Sequence, residues 1–175
     1  MVEIVRIPVE RMGALIGSDG ENKKRLEKLT NTTIKVNDDG EVEINGDSAN
    51  EFFVKDVVRA IGRGFALQEA ERLLKDTWAL EVIDLKEICK SENDLRRVRG
   101  RIIGEEGKMK AEIEAATECG LSIYGWTVSI IAPLDTLIYA KKAINRILDG
   151  AQLTTVFNDL AKYRKEIMGN RLLGK

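Results

Sequence analysis

The chain has 175 residues, 43% of them hydrophobic, with 28 Lys and Arg against 29 Asp and Glu, no histidine and two cysteines. That length can bury roughly two thirds of its unfolded surface in one domain or two small ones. No stretch approaches membrane-spanning length, and Met1-Val2-Glu3-Ile4 lacks a basic segment followed by an apolar run, so a soluble cytoplasmic protein with no membrane contact is expected.

Along the chain, Glu3 to Ile7 alternates like a strand, Pro8 interrupts, and Val9 to Ile16 suits a short helix. Gly17-Ser18-Asp19-Gly20 breaks it, and Glu21 to Leu29 resumes as an amphipathic helix with Leu26 and Leu29 on one face. Thr33 to Val36 and Glu41 to Asn45 read as strands joined by the turn Asn37-Asp38-Asp39-Gly40, and Ser48 is placed to cap a helix through Ile61. A further helix is expected over Phe65 to Lys75. The second half predicts a strand at Leu80 to Leu85, helices at Asp94 to Ile103 and Lys108 to Ala116, and strands at Leu121 to Tyr124 and Trp126 to Ile131. Helices at Leu134 to Leu148 and Leu153 to Lys165 complete it.

The halves are copies. Ile16-Gly17-Ser18-Asp19-Gly20 returns as Ile103-Gly104-Glu105-Glu106-Gly107 at an offset of 104 − 17 = 87, where Leu26 matches Ile113, Thr30 matches Thr117 and Ile34 matches Leu121. After the loss of one residue the offset is 86, and Val42 matches Val128, Lys55 matches Lys141 and Ile61 matches Ile147. A repeat this long points to two copies of one folded module, 1–77 and 78–175. The interval from strand to glycine loop differs: Ile7 to Gly17 spans 10 positions and Leu85 to Gly104 spans 19. The extra residues around Lys90-Ser91-Glu92-Asn93-Asp94 read as a longer turn capping the next helix.

Catalytic signatures are missing. Without histidine, His-based triads and most transition-metal sites are excluded, and Cys89 and Cys119 lack zinc-ligand spacing. Gly107-Lys108 fails as a P-loop because Ile102 stands where the first glycine belongs and Met109 replaces Ser or Thr. Gly62-Arg63-Gly64 fails as a dinucleotide fingerprint because Leu67 occupies the third glycine position. A protein that is not an enzyme, with no metal and no cofactor, is expected.

The order β-α-α-β-β-α with G-x-x-G between the first two helices resembles the type I KH fold, an α+β architecture, here as two tandem modules each followed by an extra helix. The Gly62-Arg63-Gly64-Phe65 join, with Arg101-Ile102-Ile103-Gly104 followed by Gly107-Lys108, resembles the archaeal branch of the Partner-of-Nob-One family. That resemblance implies ribosome biogenesis and rRNA processing: a factor that binds single-stranded RNA in the 3′ region of small-subunit rRNA. It also implies a Nob-One-type endonuclease and the alpha subunit of archaeal initiation factor two as partners.

The loop chemistry is compatible with RNA. Paired glycines let a sugar-phosphate strand approach the main chain, and the first amides of the following helix are unpaired donors at the positive end of a dipole. The expected RNA-binding residues are Gly17, Ser18, Asp19, Gly20, Lys23, Lys24 and Arg25 in the first copy. In the second they are Arg97, Arg99, Arg101, Gly104, Glu105, Glu106, Gly107, Lys108 and Lys110, with Arg96 nearby. KH modules hold about four nucleotides with bases turned to an apolar groove. By the resemblance that groove involves Ile16, Leu26 and Ile34, and Ile103, Ile113 and Leu121, with the core as the alternative place for each.

Charge opposes this reading. Net charge is −1, and a carboxylate about 4 Å from a phosphate costs roughly 1 to 4 kcal/mol, so Asp19, Glu105 and Glu106 weaken the loops. Residues 1–78 carry 12 basic and 15 acidic side chains and residues 79–175 carry 16 and 14, so the second half is +2 and the first −3. The tail, with Lys162, Tyr163, Arg164, Lys165, Arg171 and Lys175, is basic, as a helix C-terminus favours. The expected function is a non-catalytic RNA-binding assembly factor. The alternative is a protein-binding scaffold with degenerate KH modules that recruits a nuclease or translation factor.

Overall fold

The computed structural model describes residues 2–174, so the tail residue Lys175 lies outside the described range. The chain divides into two compact units, Met1–Leu80 and Glu81–Lys175. The first runs β1 (Val2–Arg6), a 3-10 turn (Val9–Arg11), α1 (Met12–Ile16), α2 (Glu21–Thr30), β2 (Thr33–Val36), β3 (Glu41–Asn45), α3 (Ser48–Gly62), α4 (Leu67–Ala70) and a 3-10 turn (Glu71–Leu74). The second comprises β4 (Trp78–Asp84), α5 (Glu92–Ile103), α6 (Lys108–Thr117), β5 (Gly120–Tyr124), β6 (Thr127–Pro133), α7 (Leu137–Leu148) and α8 (Leu153–Leu172), with β4 straddling the division of the chain. The sheets have the orders β1-β3-β2 and β4-β6-β5, so each unit has the expected β-α-α-β-β-α topology.

In the first sheet, period-two alternation sets the register. Val42 and Ile44 are fully buried between the half-buried Glu41 and Glu43, and Ile34 pairs with Ile44 and Val5 with Val42. A slip of one residue would turn every one of these side chains to water. The two copies also share polar fastenings. Glu27 accepts from the Ile34 amide at 2.7 Å and Glu114 from the Leu121 amide at 2.9 Å. Thr30 donates to the Leu26 carbonyl at 2.7 Å and Thr117 to Ile113 at 2.8 Å. Lys55 pairs with Glu3 at 2.9 Å and Lys141 with Glu81 at 3.0 Å. The glutamates tie the second helix to the second strand, the lysine pairs tie the last KH helix to the first strand, and the threonines close the last turn of the second helix.

Four expectations need correction. First, Asp47 rather than Ser48 caps α3, its Oδ1 accepting from the Asn50 amide at 2.9 Å; Ser48 is already the first helical residue. Second, the helix expected over Phe65 to Lys75 is a four-residue helix followed by a 3-10 turn. Its buried residues Leu67, Ala70 and Leu73 recur every three positions, the period of a 3-10 helix. Third, residues 9–16 are a 3-10 turn leading into a five-residue helix. Arg11 lies at the break, its side chain drawn to carbonyls of the α3 region. Fourth, the residues inserted before the second glycine loop make a longer helix as well as a cap. Ser91 accepts from the Asp94 amide at 3.2 Å, and α5 has 12 residues where α1 has 5.

The second unit's core runs from Leu85 through Ile102, Met109 and Ile113 to Ile144 and Ile147, and α8 adds Val156 and Leu160 to it. Residues Thr127 to Ala132 of β6 are all buried, so both of that strand's faces are covered.

Candidate nucleic-acid interface

The two glycine loops have one backbone. Gly17 stands at φ 73°, ψ 177° and Gly104 at φ 75°, ψ 175°; Asp19 at φ 53°, ψ 25° and Glu106 at φ 52°, ψ 27°. Gly20 and Gly107 are left-handed at φ 74° and 75°. The first glycine of each loop lies in a region that side chains essentially never enter. A Cβ on Gly17 would stand 2.9 Å from the Asn22 backbone nitrogen, and one on Gly104 would stand 2.7 Å from that of Met109. Glycine there is a steric demand of the loop against its own following helix.

The helices that follow begin without a side-chain cap, since Gly20 and Gly107 occupy the cap positions. The expected unpaired donors at these starts are taken up by the turn itself: the Gly20 and Gly107 amides donate to the Gly17 and Gly104 carbonyls at 3.3 and 3.2 Å, and those of Glu21 and Lys108 donate to Ser18 and Glu105, beside the exposed side chains of Ser18, Asp19, Glu105 and Glu106. The positive end of the helix dipole at each turn attracts negative charge, and the acidic loop residues partly offset that attraction.

Around the first loop the expected cations have internal partners. Lys23 pairs with Glu27 at 3.1 Å, Lys24 donates to the Asp19 carbonyl at 3.1 Å, and Arg25 holds Glu71 with two bonds of 2.6 and 2.9 Å. Around the second loop the pairs are long: Arg97 to Asp94 at 3.5 Å and Lys110 to Glu114 at 3.6 Å. Arg96, Arg99 and Lys108 make no ion pair or hydrogen bond among the described residues. The second loop thus has more cationic charge available to an outside anion.

Arg101 is used differently from its neighbours. Its guanidinium donates to the carbonyls of Ile147, at 2.6 Å, and Ala151, at the end of α7. Arg11 does the same in the first unit, donating to Ile61 and Phe65 at 2.8 Å each. Ile61 and Phe65 match Ile147 and Ala151 at offset 86, yet the two arginines come from different places, six residues before Gly17 and three before Gly104. Each brace ties the last turn of a helix to the segment that follows it, at carbonyls of Ile61 and Ile147 that also accept the Gly64 and Gly150 amides at 3.1 Å.

Of the six residues offered for an apolar groove, Leu26, Ile34 and Ile113 are fully buried and Leu121 is nearly so, which makes them core. Ile16 is half-buried and Ile103 is exposed, so these two face the loop's surroundings. Beside Ile103 lies an open cavity of about 530 Å³ lined by Glu92, Leu95, Arg96, Arg99, Gly100, Ile103, Gly125 and Trp126. A second depression, of about 480 Å³, follows the first loop past Ser18, Asp19, Lys24, Arg25 and Lys28.

A family model for the KH domain matches residues 2–63, and one for the second KH domain of PNO1, described as a eukaryotic-type (type I) KH domain, matches residues 79–165. The chain is 39% identical over 171 residues to the KH domain-containing protein MJ0443 of Methanocaldococcus jannaschii, covering 95% of this chain and 75% of that one. The chain belongs to the archaeal branch of the Partner-of-Nob-One family, and its two units are KH domains in tandem. It is also 32% identical over 108 residues to the pre-rRNA-processing protein PNO1 of Chaetomium thermophilum, spanning 60% of this chain and 42% of that protein. Among solved structures, the a/eIF2alpha-aDim2p-rRNA complex from Pyrococcus horikoshii OT3 contains a chain that superposes with a TM-score of 0.88 at 38% identity, over 95% of each.

Two features of this Partner-of-Nob-One relative escape a reading by motif. The face of α5 carrying Glu92, Arg96, Arg99 and Ile103 is visible as spacings of three and four, but nothing in the string shows that Trp126 meets it. The brace role of Arg101 also depends on contacts 46 and 50 residues away. Both thiols are buried, and burial pushes Cys119 up to about 11 and raises Cys89 as well, which keeps them protonated and unreactive at neutral pH. Among the described residues no cluster of three or more metal-ligating side chains occurs, and no helix is long and apolar enough to cross a membrane.

Proposed function

We propose that this Partner-of-Nob-One protein is a non-catalytic, single-stranded RNA-binding factor in small-subunit assembly, gripping the 3′ region of the small-subunit rRNA through its G-x-x-G loops. The observation that carries the reading is the matched backbone of the two loops, each ahead of an uncapped helix start. A relative at 38% identity has been solved together with rRNA and a/eIF2alpha, and a fungal relative is named for pre-rRNA processing. By that likeness, the alpha subunit of initiation factor two is a partner. A Nob-One-type endonuclease would supply the cleavage that this chain lacks.

Gly17, Ser18, Asp19 and Gly20, and Gly104, Glu105, Glu106 and Gly107, form the phosphate-facing turns in this reading. Arg97, Arg99, Lys108 and Lys110 surround the second turn, and Lys23, Lys24 and Arg25 must exchange internal partners to serve the first. The second module therefore grips more strongly.

Binding of an rRNA 3′-end oligonucleotide is expected to fall with salt at a log–log slope of about −2 to −4, at roughly 0.7 per neutralised phosphate. Replacing Glu105 and Glu106 by Lys should tighten it, because two repulsive contacts become attractive. A flat salt response, with affinity unmoved by the double replacement, would replace this reading with the protein scaffold. The acidic loop residues and internally paired cations of the first module favour that second reading.

A further inference from the structure

In the first unit β1 is an edge strand, because β3 lies between it and β2. The Ile7 amide donates to the Gly40 carbonyl at 2.9 Å, and the register runs back without a break from Arg6 opposite Glu41 to Val2 opposite Asn45. Bonding groups alternate along an antiparallel strand, so Glu3, Val5 and Ile7 turn their amides and carbonyls to β3, while those of Val2, Ile4 and Arg6 point out of the sheet. The same alternation puts the Val5 side chain in the core and leaves Val2 and Ile4 on the outer face, 51% and 55% exposed. Leu80 and Val82, which match them when the Glu81–Lys141 bridge is laid on Glu3–Lys55, are half-buried.

Native sheets blunt an open edge with lysine, proline, a bulge or an inward charge. Here the inward charge is Glu3, which Lys55 neutralises at 2.9 Å, and the rest of the strand has only Arg6 at its end. The helix α3 lies over this strand. Lys55 reaches Glu3, and a Cβ on Gly62 would stand 2.6 Å from Ile7 Cγ2, so α3 runs in the same direction as β1. Phe52 and Arg59 stand three and four residues from Lys55 on the same stripe, and both are exposed, Phe52 at 62%. Open main-chain groups and an exposed aromatic ring thus share one surface.

We propose that this surface pairs with the same surface of a second copy of the chain, β1 against β1 in an antiparallel register centred on Ile4. A two-fold axis there brings Ile4 of one copy opposite Ile4 of the other and Val2 opposite Arg6, so every outward amide and carbonyl of the strand is paired. A shift of one residue would set those groups against groups already bonded to β3, and a shift of two would leave an end unpaired. The axis also sets Phe52 of each copy beside the other copy's α3 near Arg59, where a guanidinium over an aromatic face is favourable. Each helix brings balanced charges, Lys55 with Glu3 and Arg59 with Asp56 at 3.2 Å, so no uncompensated like charges meet. A foreign strand would cover the edge alone, whereas a second copy covers Ile4 and Phe52 together. One short strand and one helix stripe make a small interface, so the dimer is weak and concentration-dependent.

Self-association needs no RNA. The test is the average mass of the intact chain by sedimentation equilibrium, without RNA, from low micromolar to millimolar concentration. The mass should rise from that of one chain toward that of two. Ile4→Pro removes an outward donor from each copy at a position where no bond to β3 is lost, and should weaken association at least about tenfold. In Ile4→Cys a two-carbon bismaleimide should join the copies, whose Cα atoms at this position stand about 5.5 Å apart. Arg6→Cys should not be joined, because four residues at about 3.4 Å each separate the copies by about 14 Å. The native thiols are buried and stay out of the reaction. A chain that is monomeric throughout overturns the proposal, whether the edge then stays open or takes a strand of another protein. Association that persists in Ile4→Pro, with equal cross-linking at positions 4 and 6, overturns it too, because the contact then lies elsewhere. If Ile4→Pro fails to fold, the two cysteine variants decide alone.

Discussion

Replacing Gly104 by alanine, against the same change at Gly107, separates the two reasons why a loop needs glycine. At Gly107 the obstacle is a left-handed φ of 75° with nothing within 4 Å of the new Cβ. A single left-handed residue costs about 1 to 2 kcal/mol, and alanine recovers about 0.4 to 1 by restricting the unfolded chain, which leaves a loss of about 1 kcal/mol. At Gly104 the pair φ 75°, ψ 175° is close to glycine-only, and the Cβ meets the Met109 nitrogen and Cβ at 2.7 Å each. Strain of about 1 to 3 kcal/mol there adds to a contact that neither backbone nor buried Met109 can relieve cheaply, so the expected loss is about 2 to 3 kcal/mol. Urea unfolding followed through Trp126, with Trp78 changed to Phe, reports the second unit, and the midpoint shift multiplied by the slope gives each loss. Equal losses at the two positions, or a larger one at Gly107, would refute the argument that the first glycine is demanded by contact with its own helix.

Arg101→Ala should lower the second unit's stability by about 2 to 4 kcal/mol, since two carbonyls lose charge-assisted bonds. Arg101→Lys should recover little, because an ammonium cannot bridge both. Unchanged stability, with a shallower salt slope for RNA, would instead make Arg101 a phosphate ligand. Cys119, whose thiol is pushed up to about 11 from its ordinary 9.0 by burial, is protonated in both states below pH 9 and contributes no pH dependence there. Between pH 9 and about 11 the unfolded chain loses this proton first, so stability should fall by about 1.4 kcal/mol per pH unit, about 3 kcal/mol in all. Cys119→Ala should flatten that segment of a denaturation series; an identical decline in both proteins would show that the thiol stays accessible to water.

The repeat was legible because its parts are local. The paired glycines, the helix periodicity between them and the alternation through Ile34, Val42 and Ile44 are all written within windows of a few residues. The β2 and β3 bounds emerge as expected for that reason. Even Thr30 and Thr117, matched as letters, prove to make the same bond to the carbonyl four residues earlier. Helix caps were harder, since Asp47 and Ser48 are both good caps and the choice depends on which one turns inward.

What the sequence determined alone was the class of the fold, its duplication and the backbone of the two loops, because glycine placement and hydrophobic period act between near neighbours. What tertiary structure decided was which charges remain for a ligand. Arg25 is taken by Glu71, 46 residues away, and Arg101 by the end of α7, while Arg99 stays open beside Trp126. An arginine's role is set by the partner that folding brings within about 3 Å, and that partner is encoded by the whole chain's packing rather than by the arginine's neighbours.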